Sequence, residues 1–136
     1  MRVLQFGMGD DIGTSMHAPH NFPQNCVCYI GTHDNNTALG WYDEEVNKES
    51  KERISDYAGF NVERGNLSRT LLNLIFKSPA KIAMPTMQDI LELDSNARMN
   101  IPGKGDGNWG WKMPEDYFKS LTVENLRLLT EVNGRL

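Results

Sequence analysis

Residues 26 to 37 read CVCYIGTHDNNT, an apolar, β-branched run that stops at Gly31 and delivers Thr32, His33, Asp34 and two asparagines. Cys26 to Ile30 show no polar alternation, the pattern of a strand covered on both faces by helices, as in parallel α/β sheets. In open α/β sheets and closed (β/α)8 barrels, ligands sit at the carboxyl ends of the strands. Thr32, His33, Asp34 and Asn35 therefore fall where a site is expected. The plainer role for Asp34 and Asn35 is to cap the helix expected from about Ala38 to Val46.

Two further strands flank this one in the sequence. Val3 to Phe6 reads as a short buried strand, followed by a long loop from Gly7 to Asn25. A loop of that length in a compact domain is usually functional. Asp10 and Asp11 sit just past the strand end, where a solvated turn is the simpler reading. Ala80 to Met84 gives a third strand, after the Ser78-Pro79 stop. Gln88 and Asp89 follow it, and Asp89 is read as the cap of a short helix from Ile90 to Leu93.

Between the second and third strands, Trp41, Tyr42, Val46 and Ile54 scatter through a charged segment that reads as one or two mostly solvent-facing helices. Ser50 is the expected cap of the second. Leu67, Leu71, Leu74 and Ile75 repeat at helical spacing and must bury one face. At the end of the chain, Thr122 is the expected N-cap of a last helix. Leu121 and Leu126 would staple it and Gly134 would stop it.

Residues 97 to 112, ARMNIPGKGDGNWGWK, combine two asparagines, two tryptophans and a glycine-rich turn. Planar amides pair with sugar hydroxyls and aromatic rings cover the C–H face, so this mixture suits a carbohydrate site. Gly103, Gly105 and Gly107 fall at every second residue, which is no phosphate-binding fingerprint.

Together these blocks resemble a known family. GTHDNNTALGWY (31–42) is similar to a segment of the 4-α-glucanotransferases of the amylomaltase type, also called disproportionating enzymes. MRVLQFGMGDD and HAPHNFPQN resemble that family's sixth-strand block and the loop after it. MPTMQDILELDSNARMNIPGKGDGNWGWK (84–112) resembles its eighth-strand block and Asn-Trp segment. The blocks follow the family's order, and one departure is Lys112, near where many members carry an arginine.

The resemblance implies a retaining transfer of α-1,4-glucan segments. Such a reaction passes through an oxocarbenium-like transition state and needs one carboxylate to attack and another to shuttle the proton. A third carboxylate can bind the distorted sugar more tightly at the transition state. By the resemblance, that third carboxylate is Asp34, with His33 beside it as a second catalytic position. Asp10, Asn35, Asn100, Asn108 and Trp109 are the implied substrate-binding residues. The family's nucleophile lies in an Arg-x-Asp context and its acid/base Glu in an Ala-Glu-Asp-Leu-Gly-like segment, and neither is found in these 136 residues.

A (β/α)8 barrel takes about 250 residues. The expectation is therefore a single partial domain, residues 1–136, forming the C-terminal part of a TIM barrel with strands six to eight and their helices. The expected partners are an α-1,4-glucan or maltooligosaccharide and the missing N-terminal part of the barrel. An uncovered inner face of a few hundred Å² is worth several kcal/mol at roughly 25 cal/mol per Å², so self-association of the fragment is expected too.

Composition bounds the alternatives. The chain is 39% hydrophobic and 24% charged with a net charge of −4, which gives no basic footprint for nucleic acid. No apolar run is long enough to span a membrane and no secretory signal precedes the first strand, so the intact parent is expected in the cytoplasm. Cys26 and Cys28 share one strand face, and His17 and His20 stand in a proline-punctuated loop. These four are not expected to bind metal, and no cofactor is expected. The alternative to an enzyme segment is a non-catalytic α-glucan-binding module holding sugar through His33, Asp34, Asn100 and Trp109. A partner-dependent structural subunit is a third possibility.

Overall fold

The computed structural model describes residues 1–117 and 120–135, and of residues 120–122 the backbone alone. Three strands, β1 (Arg2–Val3), β2 (Val27–Tyr29) and β3 (Ile82–Ala83), form a parallel sheet in the order β1-β2-β3. Arg2 is in register with Cys28 and Val3 with Tyr29 on one side of β2, and Val27 with Ile82 and Cys28 with Ala83 on the other. The helices are α1 (Ala38–Glu44), α2 (Lys48–Ala58), α3 (Arg64–Lys77), α4 (Met87–Ile90) and α5 (Ser120–Val132). The chain is thus an α/β fold in which the apolar run opening at Cys26 is the central strand.

The first strand is shorter than its sequence suggests. After Val3 the chain curls into a 3-10 turn, Leu4–Gly7, although Gln5 N still donates to Ile30 O. Beyond Ile30 the central chain turns away at Gly31, so Phe6 has no ladder partner and stays exposed. Gly7 lies so close to the main chain of His17 that a Cβ would sit 2.3 Å from its carbonyl carbon. That contact folds the Gly7 to Asn25 segment back along β1, and Val3 N donates to His17 Nδ1 at 3.0 Å. Burial and the nearby Arg2 guanidinium hold His17 below the usual imidazole range, which suits this acceptor role.

The core joins the sheet to α1, α2 and α3. Leu4, Ile30, Ile54, Leu67, Leu71 and Ile75 are fully buried, and each such side chain contributes roughly 1.5–3 kcal/mol. The predicted stripe on α3 is the inner face of that helix. The segment of α1 and α2 is less solvent-facing than its charge suggests: Trp41 and Tyr42 are buried, and Tyr42 Oη donates to Val62 O at 3.0 Å. Asn47, not Ser50, caps α2 by accepting from Ser50 N.

At the other end, Gly134 adopts a left-handed φ of 62° and Arg135 N donates to Thr130 O, which closes α5. Arg135 then reaches α3, donating to the carbonyls of Phe76 (2.6 Å), Ser78 (2.8 Å) and Ala80 (2.9 Å). α5 is described from Ser120, so the Thr122 backbone lies within the helix, and the side chain expected to cap it lies outside the described residues. The Leu121 staple lies outside the described residues.

Candidate functional site

The site is built on the turn that follows β2. Asn35 Oδ1 accepts from both the backbone N and the Oγ1 of Thr32, each at 2.9 Å, and Asn35 N donates to Thr32 O. This side-chain lock fixes a tight turn with His33 and Asp34 at its tip. Asn35 and Asp34 do not cap α1. Thr37 does, accepting from Gly40 N at 3.1 Å.

Asp34 is half exposed, and its Oδ1 receives two groups. Asn100 Nδ2 donates to it at 2.6 Å and His33 Nε2 lies 3.4 Å away. Residues 66 positions apart are brought together here. Arg98 reinforces the pairing from behind, with Nη2 donating to Asp34 O and Nε to Asn100 O, both at 2.9 Å.

Trp109 covers the other side. Its φ is 59°, a left-handed conformation costing a bulky residue about 1–2 kcal/mol, and Trp109 N donates to Met99 O at 2.7 Å. The indole is thereby held against the imidazole of His33, ring centroids 5.2 Å apart and tilted by 40°, with 60% of Trp109 open to solvent. Asn108 has a different task. Its Oδ1 accepts from Ile101 N and its Nδ2 donates to Lys104 O, so both amide groups tie the glycine-rich loop to itself.

Two arrangements, one buried and one partly buried, fix the turn to its neighbours. Asp89 Oδ1 accepts from Ala38 N at 2.7 Å, so Asp89 caps α1 across the fold; its own helix α4 is capped by Thr86. Burial pushes the Asp89 carboxyl up to about 6, against the lowering pull of the Ala38 N–H and the Thr86 hydroxyl. Beside it, Asn36 Nδ2 donates to Ser95 Oγ and Glu44 Oε2, and Ser95 Oγ also bonds Glu44 Oε1. Gly40 makes room for this trio, since a Cβ there would meet Ser95 Oγ at 2.3 Å and Asn36 Oδ1 at 2.4 Å.

A cleft of about 300 Å³ opens over these residues, at the carboxyl end of β2 and β3. His33, Asn35, Gln88, Trp109 and Trp111 are among its walls. Asp34 and Asn100 are not among the residues lining it, although their chain neighbours His33, Asn35 and Met99 are. Asp10 is elsewhere, bound to Arg53 of α2 at 2.6 Å with its carboxylate almost fully exposed. Among the described residues no three His, Cys, Asp or Glu side chains cluster as a metal site would require, and no helix is long and apolar enough to cross a membrane. Cys26 and Cys28 are free thiols; burial pushes the Cys28 thiol up, and it contacts Ser78 Oγ and Ile75 O.

Residues 1–119 match the family model described as 4-alpha-glucanotransferase. The chain belongs to this 4-alpha-glucanotransferase family. Curated relatives include the 4-alpha-glucanotransferase of Streptococcus pneumoniae, 40% identical over all of this chain and 26% of its own length. The chloroplastic/amyloplastic enzyme of Solanum tuberosum is 43% identical over 100% of this chain and 24% of its own. Among solved structures, amylomaltase from Streptococcus agalactiae in complex with acarbose superposes with a TM-score of 0.92. It is 29% identical and covers 99% of this chain and 27% of its own. The chain spans about a quarter of the length of these glucanotransferase relatives.

The 4-alpha-glucanotransferase match takes in β1 through the 3-10 turn Glu115–Tyr117, so the whole cleft lies inside it, whereas α5 lies beyond it. Sequence reasoning missed Arg98, whose side chain binds carbonyl oxygens that no residue pattern advertises. The signal available was its place two residues before Asn100.

Proposed function

We propose that this chain is the C-terminal part of a (β/α)8 barrel, one partial domain over residues 1–136, that works in a 4-α-glucanotransferase. It would supply strands six to eight and the carboxylate that stabilises the transition state for retaining transfer of α-1,4-glucan segments. The observation that carries this reading is the convergence of Asp34, Asn100, His33 and Trp109 at the carboxyl end of the parallel sheet. The acarbose-bound amylomaltase relative supports a maltooligosaccharide as the ligand.

In this mechanism the substrate lies in the cleft with its ring against the exposed indole of Trp109, which covers C–H surface and excludes water. The Asp34 carboxylate accepts from sugar hydroxyls and holds negative charge near the ring as positive charge develops on it. Asn100 orients that carboxylate through its amide, and His33 adds a second polar contact. The nucleophile and the proton-shuttling Glu come from the segment supplying the other strands. Asn35 and Asp10 complete the proposed substrate contacts. Asp10 would have to leave Arg53 to do so, an exposed pair worth under about 1 kcal/mol. For Asn108 the favoured role is loop anchoring.

Ile82 lies on the edge strand β3, and Phe6 and Met84 follow the edge strands β1 and β3; these exposed side chains are ones that further barrel strands would cover. Without that cover the chain would self-associate. A cytoplasmic location is part of the same proposal for a bacterial host; plant relatives are chloroplastic or amyloplastic by name.

The test mixes the chain with the remaining N-terminal portion of the Streptococcus pneumoniae relative and follows disproportionation of maltotriose. Transfer in the mixture, and in neither part alone, is expected. An inert mixture together with maltoheptaose binding by the chain alone would favour a non-catalytic glucan-binding module.

A further inference from the structure

Arg98 is three-quarters or more buried at its side chain, yet it forms no close ion pair: the nearest carboxylate oxygen, from Glu45, is 3.7 Å away. Its short bonds go to two main-chain carbonyls, Asp34 O through Nη2 and Asn100 O through Nε, both at 2.9 Å. Nε and one Nη lie on the same edge of the planar guanidinium, so the two carbonyls are gripped by one rigid fork. The side chains of these same two residues meet at Asp34 Oδ1, 2.6 Å from Asn100 Nδ2. One edge of Arg98 therefore sets the spacing of the two backbones, and through it the spacing of the carboxylate and its amide donor.

We propose that Arg98 is a positioning residue that holds Asp34 and Asn100 in register, with Glu45 orienting the guanidinium. Its meaning for catalysis rests on the glucanotransferase reading above; its geometry does not. A lysine at 98 cannot reproduce it, because a single ammonium on a flexible stem has no fixed pair of donors. A mispositioning of about 1 Å at a reacting group can lower turnover about a hundredfold, so a lost fork would matter even with both side chains present.

The experiment is side-chain NMR on the full chain and its Arg98→Lys variant. In the unaltered chain, Arg98 Nε–H is expected to exchange more slowly than that of the exposed Arg69. In Arg98→Lys, the Asn100 Nδ2 protons are expected to shift to the position of a free amide and exchange faster, while backbone amides of α1 and α3 hold their shifts. An unchanged Asn100 amide in Arg98→Lys would overturn the proposal. So would Arg98 Nε–H exchanging as fast as Arg69. Loss of dispersion across the whole spectrum would overturn it as well, because Arg98 would then sustain the fold and not the site. None of these signals depends on glucan transfer, so failure of the functional reading leaves them distinguishable.

Discussion

Asn100 Nδ2 stands 2.6 Å from Asp34 Oδ1, joining the loop after β3 to the turn after β2. A charge-assisted bond of this length orients the carboxylate, which can otherwise rotate freely at a half-exposed position. Replacing Asn100 by Ala should leave stability within about 1 kcal/mol and lower transfer about tenfold, the value of one such bond at a partly solvated site. Initial rates of maltotriose disproportionation in the complemented enzyme, beside urea melts, check both halves.

Asp89 makes stability depend on pH in a direction opposite to that of most carboxylates. Its folded-state value is raised from 3.8 to about 6 by burial, so the fold favours the protonated form. Stability from this group is fully present below about pH 4, falls as pH rises through about 6, and is level above. The span is roughly 3 kcal/mol. Asp89→Asn keeps an oxygen for Ala38 N without the charge. The variant should match the parent in urea midpoint at pH 4 and exceed it at pH 7.5; equal midpoints at both would contradict this account.

Gly40 is required by its neighbours and not by its backbone angles. A methyl group there would collide with Ser95 Oγ and Asn36 Oδ1. Gly40→Ala should therefore destabilise by about 1–3 kcal/mol, despite a helix propensity gain of about 1 kcal/mol. Adding Ser95→Gly should recover part of the loss by removing one of the two clashing groups, as a double-mutant cycle in urea would detect.

Arg135 closes the C-terminal end of α3 from the far end of the chain. Arg135→Met leaves three carbonyls without their donor and should cost roughly 2 kcal/mol by chemical unfolding. Arg135→Lys should recover less than half, since one ammonium cannot reach the carbonyls of Phe76, Ser78 and Ala80 together.

The parts of this fold that sequence could express were local. The apolar run at Cys26 to Ile30 marked the central strand, although only the face of Cys28 and Ile30 is buried and Val27 and Tyr29 opposite are half-buried, and Leu67, Leu71 and Ile75 marked the buried stripe of α3. What escaped was set by partners distant in sequence. Val3 to Phe6 looks like a strand, but its ladder partner ends at Gly31, and the chain curls from Leu4. Trp41 and Tyr42 sit among charges yet are buried, since α1 packs against α3. Asp89 was read as a cap and is one, but for α1, 51 residues away. At the candidate site, His33, Asp34 and Asn35 stood out as candidates because they follow an apolar strand. The fork of Arg98 was not, because it binds backbone oxygens common to every residue.

The central claim is that Asp34 stabilises the transition state more than it binds the ground state. The most direct measurement is the turnover of the complemented enzyme carrying Asp34→Asn, beside its affinity for maltoheptaose. Turnover lower by about a thousandfold with affinity nearly unchanged is the predicted result. Turnover within about tenfold of the parent, or a loss confined to affinity, would contradict it.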